Sequence, residues 1–176
     1  MNDYGHIVLA NSKKGIVPAI IRFFTKSQFS HSLIKLPDIL GIPMCMEAAD
    51  NGVSMLRFDL GYIDNKDQDI NIFQVNISQE AKDRAIIHCL DSLEVRYGHL
   101  ELLWFIWRAI NKFFGRDIKN QNNWVENGII CSELCRIYLS SADLGNLFKD
   151  FGTGSLNAED LRQIMLENPD IFTRIV

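Results

Sequence analysis

The hydrophobic pattern of this chain changes period once. Up to residue 77 the apolar residues run in short, mostly alternating stretches; from residue 78 they recur at helical spacing over longer segments. Alternation builds a half-buried strand, whereas spacing of three and four builds one face of a helix, so the change divides a sheet-forming half from a helix-forming half. Strands first and helices mostly afterwards predict an α+β fold with an antiparallel β-sheet packed against helices.

In the first half, HIVLA (6–10) is a β-prone run, and IVPAIIRFFTKS (16–27) fits a short helix with Pro18 in its first turn. FSHSLIKL (29–36) alternates, with His31, Leu33 and Lys35 on one face and Ser30, Ser32, Ile34 and Leu36 on the other. A loop bounded by Pro37 and Pro43 leads to the strand MCMEAA (44–49), and Asp50-Asn51-Gly52 turns it back into VSMLRF (53–58) as a hairpin. After a polar loop, DINIFQVNI (69–77) is a further strand.

The second half begins with an amphipathic helix predicted over 78–97, capped by Ser78. LELLWFIWRAINKFF (100–114) is apolar nearly all round. It is too short, and too interrupted by Glu101, Arg108 and Lys112, to cross a membrane, and reads as a core helix or as an apolar lip over a site. A polar loop over 115–128 precedes a helix that opens at Cys131, and a last helix starts beside Asn157. No repeat or linker interrupts the 176 residues, so a single domain over 1–176 is expected.

Hydrophobic residues make up 47% and charged residues 23%, the balance of a soluble globular protein. A net charge of −4 with scattered basic residues argues against a nucleic-acid partner. The start MNDYGHIVLANSKKG lacks the pattern of an export signal, so a cytoplasmic location, which phage or viral origin would also allow, and four reduced cysteines are expected. The Cys131/Cys135 couple has neither a second couple nor spaced histidines beside it, so no metal and no cofactor are expected.

A cysteine used as a small hydrophobe can stand anywhere on an apolar face. A cysteine used as a nucleophile has a reason to open a helix, because the unpaired N–H groups and partial positive charge there favour thiolate over thiol. Such a thiol needs a base within reach and a group that orients the base. His88 falls near the apolar stripe of its helix and reads as a half-buried packing residue; His99 falls in a turn, and His6 heads the first strand. His31 differs, since its strand is followed at once by the strand carrying Glu47. The two are equidistant from residue 39, close to the centre of the intervening loop, so an antiparallel pairing sets them opposite or diagonal. Glu47 stands among Met44, Cys45, Met46, Ala48 and Ala49, where a lone carboxylate would be costly.

The motifs GHIVLA, FSHSLIKL, MCMEAADNGVSML, RYGHLELL and GIICSELC, taken in that order, resemble the circularly permuted papain-like hydrolases of the YiiX and YaeF type. These are relatives of the NlpC-type cell-wall peptidases and of lecithin:retinol acyltransferase. The resemblance covers residues 4 to about 140. It implies Cys131 as nucleophile, His31 as general base and acid, Glu47 as the group orienting His31, and Tyr97 lining the substrate site. Tyr97 is followed by Gly98 where relatives often carry Tyr-Asp, and Gly5-His6 stands where they commonly have Gly-Asp. Ser30, Ser132 and Glu133 are read as structural supports.

The implied activity is cysteine-dependent hydrolysis of an amide or ester through a thioester, on a small peptide, an acyl-amide or a lipid-like substrate. Acyl transfer at the same site, a catalytically silent binding module, and a redox or metal role for the Cys131/Cys135 pair are the competing expectations.

Overall fold

The computed structural model describes residues 4–97, 111, 129–152 and 156–176. The expected helix over 100–114, Asn111 excepted, the polar loop 115–128 and His99 lie outside these residues.

Six strands form one antiparallel sheet: β1 (His6–Ser12), β2 (His31–Lys35), β3 (Met44–Ala49), β4 (Gly52–Arg57), β5 (Gln68–Val75) and β6 (Phe172–Arg174). Their order is β4-β3-β2-β1-β5-β6, antiparallel at every junction. Four helices accompany them: α1 (Ile16–Thr25), α2 (Gln79–Leu90), α3 (Cys131–Leu139) and α4 (Ala158–Glu167). The protein is a mixed α+β fold, as the change of hydrophobic period predicts.

Turn chemistry fixes the strand pairing. Ile39 and Ile42 bond to each other in both directions around Leu40 (φ 52) and Gly41 (φ 78), so the loop between Pro37 and Pro43 closes as a two-residue hairpin turn. The resulting register sets Leu33 opposite Glu47, which places His31 two residues away, on the diagonal and on the same face. At the next turn Gly52 has φ 95, and a Cβ there would lie 2.5 Å from the Val95 carbonyl oxygen, so no other residue fits without strain.

The pleat divides the sheet between two cores. Ile7, Leu9, Ile34, Met46 and Phe73 face Leu134, Cys135 and Tyr138 of α3 and Leu161 and Met165 of α4. Each fully buried side chain of this size contributes about 1.5–3 kcal/mol. On the opposite face Val8, Leu33, Cys45 and Ile72 form a smaller cluster, covered by Phe58 and Tyr62. Tyr62 belongs to a π-helical turn, Asp59–Ile63, that folds back over the sheet after β4.

Three elements depart from the sequence reading. The helix expected over 78–97 ends at Leu90, because the next residues satisfy their backbone on β4: Glu94 (φ 67) donates to the Val53 carbonyl, and Val53 donates to Val95. β6 has three residues and pairs with β5, too short a run to show a period of its own. The helix opened by Cys131 ends at Leu139 and continues as a π-helical turn, Ser140–Leu144. Asn157 caps α4 as expected and shares a capping box with Asp160. Among the described residues no helix is long and apolar enough to cross a membrane.

Candidate active site

α3 begins at Cys131 because Ile130, its N-cap, is still extended (φ −92, ψ 164) and brings no side chain that caps the helix. The first-turn N–H groups are therefore open to another acceptor. Ser132 anchors this turn by donating to the Leu156 carbonyl at 2.7 Å, and Glu133, buried in the same turn, is held by Arg136 at 2.9 Å. The thiol is thus fixed where α3, β2 and the approach to α4 meet.

His31 opens β2. Its Nε2–H donates to Glu47 Oε2 at 2.8 Å, and the side chains are 21% and 15% exposed, shielded enough for the bond to count and open enough for a proton to leave. Because an ionised carboxylate only accepts, this bond assigns the Nε2 tautomer and leaves Nδ1 for the sulfur. The Cys131 thiol lies within hydrogen-bonding reach of the imidazole. The pleat places His31 with Leu33 on the smaller-core face and Ser32 with Ile34 beneath α3, so imidazole and thiol meet around the start of β2.

Electrostatics follow from this contact. Burial alone would lower the His31 pKa; the charge and hydrogen bond of Cys131, and then those of Glu47, reverse this and raise it to about 10. Burial alone would raise the Cys131 thiol; the imidazolium charge and hydrogen bond, with the Ser32 backbone N–H and hydroxyl, bring it below the ordinary thiol value. Burial would likewise raise Glu47, which the His31 hydrogen bond and charge and the Tyr62 hydroxyl hold low instead. The stable form of the pair is thiolate and imidazolium.

The other cysteines behave in the opposite way. Burial pushes Cys45 and Cys89 up to about 12, and Cys135 is raised as well. All three are buried, whereas Cys131 is half-exposed.

An open cleft of about 370 Å³ lies against Cys131. Ile21, Tyr97, Ile130, Leu156 and Ala158 give it apolar walls, and Ser30 and Asn157 add polar edges. Tyr97 reaches the cleft because the chain leaves α2 early and bridges to Ile129, the residue before the N-cap of α3. Cys131, His31, Glu47 and Tyr97 are thus all brought to one region, and no charged side chain stands among those lining the cleft.

Two further residues of this region carry no signal in the sequence. Tyr62 donates its hydroxyl to the same Glu47 oxygen that His31 uses, and its ring stacks on the imidazole at 6.4 Å and 8°. It stands in a stretch that reads as a polar loop, where only an isolated aromatic hints at burial. Ser32 is fully buried, and its Oγ makes no well-formed hydrogen bond, a situation that costs about 1–3 kcal/mol. His88, expected as a half-buried packing residue, is exposed on α2, because the face carrying Ala81, Ala85 and Cys89 turns the other way. Among the described residues no three His, Cys, Asp or Glu side chains are placed to hold a metal ion.

No family model matches the chain, and no curated protein is similar to it in sequence.

Proposed function

We propose that this protein is a cysteine-dependent hydrolase of amide or ester bonds, of the circularly permuted papain-like class its motifs resemble. One observation carries the proposal: the Cys131 thiol is lowered and His31 raised by their mutual contact, while Glu47 holds the far side of the ring. A buried ion pair with this polarity is the starting state of thiol acyl chemistry.

In the proposed reaction the Cys131 thiolate attacks the carbonyl carbon and forms the S–C bond. The negative charge moves to the carbonyl oxygen, which the Cys131 backbone N–H at the start of α3 can receive. His31 Nδ1–H then protonates the leaving amine or alkoxide as the C–N or C–O bond breaks, leaving a thioester. Water attacks the thioester, giving its proton to the now neutral His31; the acid departs and thiolate and imidazolium are restored. Glu47 keeps the ring in place through both transfers. The uncharged, mostly apolar walls favour an acyl group with apolar character over a highly charged peptide.

Alkylation measured by intact mass tests this directly. At about pH 6, iodoacetamide should label one thiol, Cys131, and His31→Ala should slow that labelling about a hundredfold. Nitrophenyl acyl esters should be hydrolysed by the wild type and not by Cys131→Ala. Equal, slow labelling of all four cysteines in both proteins would overturn the reading.

A further inference from the structure

Ser32 is the one residue at this site whose side chain has no assigned task. It follows His31 on β2, and the pleat turns it under α3, away from the cleft lining. Its hydroxyl is fully buried, without a well-formed hydrogen bond, and adjoins two sulfurs one helical turn apart, Cys131 and Cys135. Its backbone N–H also points at the Cys131 sulfur. A neutral thiol is a poor acceptor, so a hydroxyl beside two thiols looks orphaned; beside a thiolate it has a strong acceptor.

We propose that the Ser32 hydroxyl is a hydrogen-bond donor to the Cys131 thiolate, approaching it from the buried side while His31 and the cleft occupy the others. The proposal rests on the hydrolase reading above, since it needs an ionised Cys131. The hydroxyl has one proton to give. Cys135, the rival acceptor, is held by burial as S–H and leaves that proton to Cys131. The titratable groups acting on the Cys131 sulfur are His31 on β2, Cys135 on α3, Tyr62 on the π-helical turn, and Glu47 on β3 through His31. The residues that α1 and the start of α4 present to the cleft, Ile21, Asn157 and Ala158, do not titrate.

The experiment is the pH dependence of Cys131 alkylation in the full chain, read with thermal unfolding. Ser32→Ala should move the midpoint up by about one pH unit, which is roughly a tenfold slower reaction well below the midpoint. Its melting temperature should hold or rise, because an unsatisfied buried hydroxyl has been removed. A purely structural serine would give the reverse pattern, lower stability with an unmoved midpoint. Ser32→Thr, which keeps the hydroxyl, should return the midpoint toward wild type. Cys135→Ala, which removes the rival sulfur, should leave the midpoint at or below wild type, and this variant tests the proposal even if Ser32→Ala does not fold. A Ser32→Ala midpoint equal to wild type, with His31→Ala still slow, would overturn the role of Ser32 and leave the hydrolase reading standing. A wild-type Cys131 midpoint at the ordinary thiol value would overturn both.

Discussion

Glu47 holds two donors on one oxygen: the His31 ring N–H and the Tyr62 hydroxyl. The second bond keeps the carboxylate ionised and fixes where it points, so Tyr62 is a positioning residue acting on His31 through Glu47. Tyr62→Phe keeps the ring stack and deletes only the donor. We expect it to cost about 1.5–3 kcal/mol in urea unfolding, the range for a hydrogen bond to a charged group. It should lower kcat of ester hydrolysis more than it changes KM, because the cleft walls are untouched. Were the hydroxyl merely filling space, kcat would stay at the wild-type value.

At the scale of elements, the site depends on where two turns place their strands. The two-residue turn at Leu40-Gly41 sets the β2–β3 register, and a slip of one residue would send Glu47 to the other face, away from His31. The turn at Gly52 does a second job, because Val53 bonds with the 94–95 segment that ends α2 and delivers Tyr97 to the cleft. Gly52→Ala would force a side chain onto φ 95 and its Cβ against the Val95 carbonyl. The expected loss is about 1–3 kcal/mol of stability by chemical denaturation. KM should rise as well, because the displaced strand carries Tyr97 with it.

At the scale of the whole molecule, the ion pair ties function to pH. The His31 pKa is raised from 6.5 to about 10, so its stabilising contribution is complete below pH 6.5 and is lost as pH rises through about 10. The Cys131 pKa is lowered from 9.0, so its contribution is complete above that value and is lost as pH falls through the lowered one. Thiolate and imidazolium therefore coexist between the lowered Cys131 value and about pH 10. The kcat/KM profile for ester hydrolysis should rise below neutrality with Cys131 and fall near pH 10 as His31 loses the proton it gives to the leaving group. In Cys131→Ala the NMR titration of His31 should drop well below 10, since the largest influence raising it is gone. A His31 value unchanged by that substitution would refute the pairing.

Local chemistry alone was enough for much of this. The alternation of residues 29–36, the Asp50-Asn51-Gly52 turn, the strand over 44–49 and the helix opened at Cys131 each rest on contacts within a few residues, and each stands where its pattern placed it. The diagonal approach of His31 and Glu47 was legible for the same reason, since a single hairpin joins them. Tertiary packing alone decided the rest. Tyr62 reaches Glu47 only because a turn after β4 folds back over the smaller core. Ser32 meets Cys131 and Cys135 only when α3 is laid across β2. The early end of α2 and the pairing of β6 likewise depend on hydrogen bonds offered by strands distant in the chain. Periodicity records which face of an element is apolar; the partner that covers that face is settled by contacts between segments far apart in sequence, which no local pattern encodes.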